Sequence, residues 1–332
     1  MSSSPEAPSG RGAGRQRRRA ATQVLSLALA ALALLLVVGA LVELGLSAYA
    51  RRSPPGMLVD VGGRNIHVLC IGTGSPTVVF VPSGFGGATS FPDVHRSLSA
   101  VTRVCSFDRM GTGWSDAGPS RVSVGRLTDD LRAALDNAAI AGPMVLVASS
   151  IGGLEAEFFA RRYPDRVAGL VMLDAANTWV LTGVSASIPP LLDTKITRAC
   201  RALDLAAPTG LVRLLAAPPN RLQTMCALYR GLPSTYAESS ALPAFRGDLP
   251  LAILTADTSA GLVPSIPFAT ARLERIAAGI RPYAVLAQQL LARQSTRGTW
   301  QTVEGSGHLI AADRPLVVIE TVETMVEGLR RR

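Results

Sequence analysis

The chain has 332 residues, of which 48% are hydrophobic and 17% are charged, so it is long enough to bury a large core. Its net charge of +9 is concentrated at the two ends, because residues 1–52 and 330–332 hold ten arginines and two glutamates, or +8 together. The rest of the chain therefore carries only the remaining +1, with no basic patch interleaved with aromatic residues. This distribution excludes nucleic acid as an expected partner.

The N-terminal region predicts a membrane anchor. Residues 1–22 are rich in Ser, Gly, Pro and Arg, which is typical of a disordered basic segment. Residues 23–45 are predicted to form a transmembrane helix, because they include an uncharged apolar run long enough to cross a bilayer core of about 30 Å. More arginines precede the run than follow it, so we expect a cytoplasmic N-terminus and an extracytoplasmic domain. The alternative is a secreted protein, cleaved near Ala50; we favour the anchor because the run is longer than a usual signal peptide core.

Beyond a linker at residues 46–56, short apolar runs alternate with helical patterns. The first two runs flank a Gly-Gly turn and predict a hairpin at an antiparallel sheet edge. The later alternation predicts a mostly parallel sheet with helices on both faces. Residues 175–247 interrupt it with a proline-punctuated, Leu- and Ala-rich helical pattern. We therefore predict one α/β domain over residues 57–332, with a helical cap inserted at about 175–247.

The four cysteines allow two interpretations. Cys200 and Cys226 lie in one segment and could close a loop, whereas Cys70 and Cys105 lie in separate strand-like runs. Each pair could form a disulfide in an extracytoplasmic domain or remain as small buried apolar side chains. Their spacing resembles no zinc site, and no metal is expected.

The segment VLVASSIGGLEAEFF, residues 145–159, is typical of a nucleophilic serine on a sharp turn between a strand and a helix. Such a turn needs small residues two positions before and two positions after the nucleophile. Ser150 has Ala148 and Gly152 at these positions, whereas Ser149 has two bulky β-branched residues there. We therefore predict that Ser150 is the nucleophile.

A histidine must act as the base that takes the proton of Ser150. Of the three histidines, only His308 follows Ser150 in the chain, in a turn after a predicted strand at the carboxyl edge of the sheet. His67 and His95 precede the serine and are expected to be structural. His308 is therefore the predicted general base.

Two backbone N–H groups are needed to bind the oxyanion of the reaction. One is expected from Ile151, which follows the nucleophile. The other is expected from the glycine-rich loop PSGFGG, from Phe85 or its neighbour Gly84. A phosphate-binding role for this loop is disfavoured because no lysine follows it closely.

Two aspartates could orient the base. Asp174 ends one predicted strand and Asp257 ends the next, and both lie between the serine and the histidine in the chain. Both strand ends lie at the same edge of the predicted sheet. The residue pattern therefore leaves both open.

Together these parts resemble the α/β-hydrolase superfamily over roughly residues 57–329. The segment SFDRMGTGWSD is similar to the family's D-x-R-G-x-G-x-S-D loop, with Met110 interrupting it. FARRYPDRVAGLVMLDA resembles the segment that follows the nucleophile, and EGSGHLIAADRP resembles the histidine loop. Some members of the family, pancreatic-lipase-like ones among them, place the acid after the sixth strand in a context similar to LDAA here. On that resemblance we favour Asp174 over Asp257.

The chain departs from the family's pattern at the acid and at two turns. After the seventh strand the family's aspartate would fall at Thr258, so Asp257 is one place early. At the nucleophile, Ala148 and Ser149 stand where Gly and His are common. At the oxyanion loop, Ser83 and Gly84 stand where His-Gly is frequent. These differences leave a catalytically inactive binding domain as one alternative.

The resemblance implies a serine hydrolase that cleaves an ester-type bond of a small or lipophilic substrate through an acyl-enzyme, with no cofactor. A second alternative is an aminopeptidase similar to proline iminopeptidase, for which Glu238 of the cap is a candidate partner of the substrate amine. Aspartate-nucleophile chemistry is disfavoured because position 150 is a serine. The sequence does not determine the oligomeric state.

Overall fold

The computed structural model describes all residues except 1–10, 51–52, 186–189, 207–218, 259–270 and 332. Side chains are also left undescribed at some helical positions: residues 11–21, 43–44, 46–50, 182–185, 190–195, 206, 219–221 and 271–277. The chain forms two compact units. One comprises residues 1–52 and 202–217, and the other comprises residues 53–201 and 218–332.

The first unit contains helix α1, which runs from Arg11 to Ala50. It is longer at both ends than the predicted transmembrane helix, so residues 11–22 are helical rather than disordered and residues 46–50 are not part of a linker. The Arg- and Ala-rich sequence before the apolar run explains the extension, because both residues favour helix. Within α1, Thr22–Val42 is long and apolar enough to cross a membrane, and almost all of its side chains are exposed.

The second unit is built on an eight-stranded sheet with the order β1-β2-β4-β3-β5-β6-β7-β8. The strands β1 and β2 pair antiparallel, as do β2 and β4, and every other pairing is parallel. This confirms the predicted antiparallel hairpin at the edge of a mostly parallel sheet. The strands are Met57–Asp60 (β1), Asn65–Ile71 (β2), Val78–Val81 (β3), Val104–Phe107 (β4), Met144–Ser149 (β5), Val167–Leu173 (β6), Leu251–Ala256 (β7) and Gly298–Val303 (β8).

Helices connect the strands and cover both faces of the sheet. The helices outside the predicted cap are Pro92–Ser99 (α2), Val124–Asn137 (α3), Gly152–Arg162 (α4), Ala271–Ala292 (α8), Ile310–Asp313 (α9) and Pro315–Arg330 (α10). Between β6 and β7 the chain forms Thr178–Ser185 (α5), Pro190–Ala206 (α6) and Pro219–Ser240 (α7). The predicted cap region is therefore mostly helical where it is described, and part of it lies outside the described residues.

The core lies on both faces of the sheet, because successive strand residues point in opposite directions. In β5, Leu146 packs in one apolar cluster with Leu131 of α3, and its neighbour Val145 packs in the other with Val322 of α10. All four side chains are fully buried. This two-sided burial explains why the central strands are continuous apolar runs in the sequence.

All four cysteines form disulfides. Cys70 and Cys105 lie directly opposite each other in the pairing of β2 with β4. Cys200 of α6 is bonded to Cys226 of α7. The alternative of four buried free thiols is therefore wrong. Each bond stabilises the fold by restricting the unfolded chain.

The two histidines expected to be structural are buried. His67 of β2 is bonded through Nδ1 to the carboxylate of Asp108 at 2.7 Å. His95 of α2 packs against the rings of Phe80 and Phe91. Burial lowers the pKa of His95 to about 4, because the apolar surroundings disfavour the charged imidazolium.

His95 makes the stability of the fold depend on pH. The unfolded chain binds a proton at His95 more readily than the folded protein, so stability is lost as pH falls from about 6.5 towards 4. Between pH 7 and pH 5 this one group should lower the free energy of unfolding by about 2 kcal/mol. The His95→Phe variant should lack this part of the pH dependence, as measured by urea unfolding at both pH values. Equal losses in the variant and the wild type would contradict this assignment.

Candidate active site

Ser150 lies in the turn between β5 and α4. Its φ angle is 55°, in the left-handed region that side chains other than glycine rarely adopt. The turn is held at its backbone: the Ser150 N–H donates to the Leu173 carbonyl (3.3 Å), and the Ser150 carbonyl accepts from Gly153 (3.0 Å) and Ala176 (2.8 Å). The strained conformation is therefore fixed by contacts on both sides of the serine.

The residue two positions after Ser150 must be glycine for a steric reason. A Cβ atom on Gly152 would lie 2.5 Å from the Pro82 carbonyl oxygen and 2.6 Å from that of Val81, at the end of β3. The start of α4 thus approaches the neighbouring strand too closely for any side chain. Ser149, by contrast, belongs to β5 and is buried in its pairing with β6.

His308 connects the serine to an aspartate. Its Nε2 lies 2.8 Å from Ser150 Oγ, and its Nδ1 lies 2.7 Å from Asp174 Oδ2. Because an ionised carboxylate can only accept, Nδ1 carries the proton and donates to Asp174. Nε2 is then the acceptor for the Ser150 hydroxyl, which is the arrangement a general base requires.

Asp174 directly follows β6 and has a positive φ of 41°. Its N–H donates to the Leu254 carbonyl (2.7 Å), which continues the pairing of β6 with β7. Besides His308, its carboxylate accepts from the Ala256 N–H (3.2 Å), from Arg281 Nη1 (2.9 and 3.1 Å) and, at 3.4 Å, from the Gln288 amide. The carboxylate is therefore held by the next strand and by α8 as well as by the histidine.

These contacts keep Asp174 ionised. Burial on its own raises the pKa of the Asp174 carboxyl, but the hydrogen bond and charge of His308 lower it, as do the charge and hydrogen bond of Arg281. The net effect is a pKa below the usual value. An ionised partner favours the proton on Nδ1 of the imidazole.

The other candidate acid, Asp257, occupies a different position. Its carboxylate accepts from the N–H of Gly305 (3.1 Å), a residue with a φ of 66° in the turn that precedes the histidine. A second carboxylate, that of Asp313, accepts from the Gly307 N–H (2.8 Å) in the same turn. Among the hydrogen bonds of the described residues, Asp174 and not Asp257 is the partner of His308.

The glycine-rich loop after β3 lies beside the turn of the serine. The Gly86 N–H donates to the Ser83 carbonyl (3.1 Å), which closes a turn with Gly84 and Phe85 at its centre. A Cβ atom on Gly84 would lie 3.3 Å from the Ile151 side chain, so the loop and the turn are neighbours. None of the hydrogen bonds between described residues uses the N–H of Phe85 or Ile151, so both remain available as donors.

A buried ion pair joins this loop to α4. Arg109 Nε donates to Glu155 of α4 at 2.7 Å, while Nη1 and Nη2 donate to the carbonyls of Ser83 (2.8 Å) and Pro82 (2.5 Å). Both charged side chains are almost completely buried. Burial raises the pKa of Glu155, although Arg109 opposes this by its charge and hydrogen bond. One guanidinium therefore fixes the loop relative to the helix that begins beside Ser150.

A cavity of about 140 Å³ opens onto these groups. It is lined by Ser150, Asp174, Ala175, Ala176, Val180, Ile280, Arg281, Ala284, Gln288 and His308. Apart from Ser150, Asp174 and His308, the wall is apolar except for Arg281 and Gln288. Within the described part of the chain, no cluster of three or more His, Cys, Asp or Glu side chains could hold a metal ion.

Four residues of this site were not found from the sequence. Arg109 lies in the family-like segment SFDRMGTGWSD, but the local sequence does not indicate its contacts with the loop after β3 or with Glu155. No local sequence pattern indicates the contacts of Arg281 and Gln288 with Asp174, because these residues are 107 and 114 positions away from it in the chain.

A family model described as the alpha/beta hydrolase fold matches residues 76–267, more than half of the chain. The chain belongs to the α/β-hydrolase family. Solved structures agree with this fold: a thermophilic esterase from Thermogutta terrifontis has a TM-score of 0.56 and 22% identity, covering 82% of this chain and 98% of that one. An epoxide hydrolase from Solanum tuberosum has a TM-score of 0.58 and 18% identity, with the same coverage.

Curated relatives match shorter parts of this α/β hydrolase. An uncharacterized protein of Schizosaccharomyces pombe is 39% identical over 130 residues, 38% of this chain and 24% of that protein. An uncharacterized vacuolar membrane protein of Saccharomyces cerevisiae is 31% identical over 94 residues (28% and 14%). The mitochondrial palmitoyl-protein thioesterase ABHD10 of Rattus norvegicus is 31% identical over 111 residues (32% and 37%). The chain thus spans less than half the length of each of these relatives.

Single and double variants of the Arg109–Glu155 pair should separate its effect on the free energy of unfolding from its effect on the reaction rate at Ser150. Arg109→Met leaves the Glu155 charge buried without its partner, which should destabilise the fold by about 3–5 kcal/mol in urea unfolding. The double variant Arg109→Met, Glu155→Met should recover most of that stability, because no buried charge remains. It should still react roughly 10- to 100-fold more slowly at Ser150 with an activated ester, since the loop has lost two hydrogen bonds. A double variant with wild-type kcat would contradict the positioning role of Arg109.

Proposed function

We propose that this α/β hydrolase is a serine hydrolase that cleaves an ester-type bond through an acyl-enzyme. The observation that carries the proposal is the hydrogen-bonded series Asp174–His308–Ser150, which ends at a strained serine on the wall of a cavity. Serine becomes a nucleophile when a base accepts its proton, and His308 Nε2 is in position to do so. The esterase and thioesterase among the similar proteins are consistent with this class of reaction.

In the proposed mechanism, Ser150 Oγ attacks the substrate carbonyl while His308 Nε2 takes its proton. Asp174 orients the imidazole and stabilises the imidazolium that forms. The proton then passes to the leaving alcohol as the carbon–oxygen bond breaks and the acyl-enzyme forms. A water molecule, deprotonated by His308, attacks this intermediate and releases the acid, and the proton returns to Ser150.

The oxyanion is proposed to bind to the N–H groups of Ile151 and Phe85, with Gly84 as the alternative loop donor. Support comes from the position of the loop beside the turn and from the two N–H groups without an acceptor among the described residues. Ile151 directly precedes the first turn of α4, where the helix dipole also favours negative charge. The reaction as proposed requires no metal or organic cofactor.

The substrate is proposed to be a small or lipophilic ester, because half of the residues that line the cavity are alanine, valine or isoleucine. The aminopeptidase alternative gains no support. Glu238, its candidate amine partner, accepts from Ser123 Oγ (2.7 Å) and the Gly125 N–H (2.9 Å) at the start of α3. A binding domain without activity would not need the serine and histidine in hydrogen-bond contact.

A fluorophosphonate probe tests the proposal. The wild type should be labelled and Ser150→Ala should not, as read by mass spectrometry of the intact protein. Asp174→Asn should reduce kcat for an aryl ester by about 10⁴-fold, because the imidazole loses its orienting acceptor. Asp257→Asn, the matched control, should remain within about tenfold of the wild type.

Absence of labelling in folded wild-type protein would overturn the proposed function. Equal losses in the two asparagine variants would instead overturn only the choice of acid.

We also propose that α1 anchors the protein in a membrane, with the hydrolase domain outside the cytoplasm. The apolar segment Thr22–Val42 exposes side chains such as Leu27 (70%) and Leu41 (62%), which a membrane would cover. The arginines ahead of this segment favour a cytoplasmic N-terminus. Two disulfides in the second unit are typical of an oxidising compartment.

Topology reporters fused after Arg52 test this orientation in a bacterial host. Alkaline phosphatase should be active and green fluorescent protein should be dark, because only the first folds outside the cytoplasm. An N-terminal epitope tag should stay with the reporter; its loss would indicate cleavage near Ala50 instead of an anchor. A fluorescent protein that is bright, with an inactive phosphatase, would contradict the orientation.

A further inference from the structure

Arg281 is the one cationic side chain in the described wall of the cavity that holds Ser150 and His308. It comes from α8, and its side chain is 18% exposed, so the guanidinium is neither sealed in the core nor free in solvent. A positive charge in a small cavity needs an anionic or hydrogen-bonding partner to offset the loss of water, and the Asp174 carboxylate is one such partner.

Among the described residues, one nitrogen of this guanidinium has a hydrogen-bond acceptor. Arg281 Nη1 donates to both carboxylate oxygens of Asp174, at 2.9 and 3.1 Å. Nε and Nη2 donate to no acceptor among the described residues. Neither atom is among the buried polar atoms that lack a hydrogen-bond partner, so both retain some exposed surface. This edge of the guanidinium is therefore accessible.

The accessible edge has the geometry that binds a carboxylate. Nε and Nη2 present two parallel N–H groups, which match the two oxygens of a carboxylate in a bidentate pair. The contact with Asp174 fixes the guanidinium in place, so little side-chain entropy is lost when a second anion binds. The other polar wall residue, Gln288, is already committed: its amide donates to Ala175 and Asp174, and its oxygen accepts from Thr255.

We propose that Arg281 binds a carboxylate of the substrate through Nε and Nη2, so that the enzyme acts on esters that also carry a carboxylate. Half-esters of dicarboxylic acids are the simplest members of this class. The apolar residues Ala176, Val180 and Ala284 would contact the carbon chain between the two groups. This inference rests on the proposed serine hydrolase function and names its substrate class.

The test compares two esters that differ only in charge. Monoethyl succinate carries the carboxylate, and ethyl succinamate replaces it with a neutral amide of the same shape. Hydrolysis of either ester consumes one water, breaks the ester bond and releases ethanol. The rate of ethanol formation by the full-length protein in detergent therefore measures the hydrolysis of both esters. The same pairs from malonate to adipate cover the range of chain lengths.

The wild type should favour the carboxylate ester by about 10- to 100-fold in kcat/KM for the chain length that fits, as expected for hydrogen bonds to a charged group. Arg281→Met should bring the ratio close to one. Arg281→Lys should give an intermediate ratio, because lysine keeps the positive charge but lacks the two parallel N–H donors of the guanidinium. Arg293→Met, an exposed arginine just beyond the end of α8, should keep the wild-type ratio.

The ratio separates substrate binding from the contact with Asp174. If Arg281 acts only through Asp174, Arg281→Met will slow both esters equally and leave the ratio unchanged, which would overturn the inference. Wild-type protein that labels with a fluorophosphonate but shows no preference for carboxylate esters, or hydrolyses neither ester of any pair, would also overturn it. Absence of labelling would instead mark failure of the proposed function.

Discussion

The arrangement of the candidate site depends on the hydrogen bonds that the buried carboxylate of Asp174 accepts. A buried ionised carboxylate needs several donors to offset the loss of water, and here they come from the end of β7, from α8 and from the histidine turn. The same hydrogen bonds therefore bring separate parts of the chain to one point. The positive φ of Asp174 fits this requirement, since the backbone turns immediately after β6 and directs the side chain towards His308.

A second buried charged group, the Arg109–Glu155 ion pair, organises the loop beside the serine. Arg109 holds the loop after β3 against α4, while Gly152 allows α4 to start close to the same strand. Such interactions are directional, because a guanidinium donates in fixed directions, whereas apolar packing tolerates small shifts. The sheet provides the rigid support, and the two charged groups set the positions of the reacting groups on it.

Arg281 contacts Asp174 and also lines the cavity. It is one of the donors that keep Asp174 ionised, and it also forms part of the cavity wall. A single side chain thus connects the hydrogen-bonded series Asp174–His308–Ser150 with the wall of the cavity. This double contact makes α8, outside the segment predicted to be the cap, a part of the proposed specificity.

The sequence by itself determined the fold class, the order of the elements and the position of the serine. These depend on local properties: apolar runs that are buried on both faces, glycine pairs that break strands, and small residues around Ser150. It also limited the base to His308, because only one histidine follows the serine in the chain.

Only the tertiary structure decided which aspartate meets His308, which cysteines pair, and which arginines enter the site. Asp174 and Asp257 both end strands at the same edge, and their local sequences do not distinguish a contact with the histidine from a contact with the turn before it. Arg281 lies 107 residues from the carboxylate that it contacts. Local patterns record backbone preference and burial, whereas the meeting of distant side chains is fixed only once the sheet has assembled and its helices have packed against it.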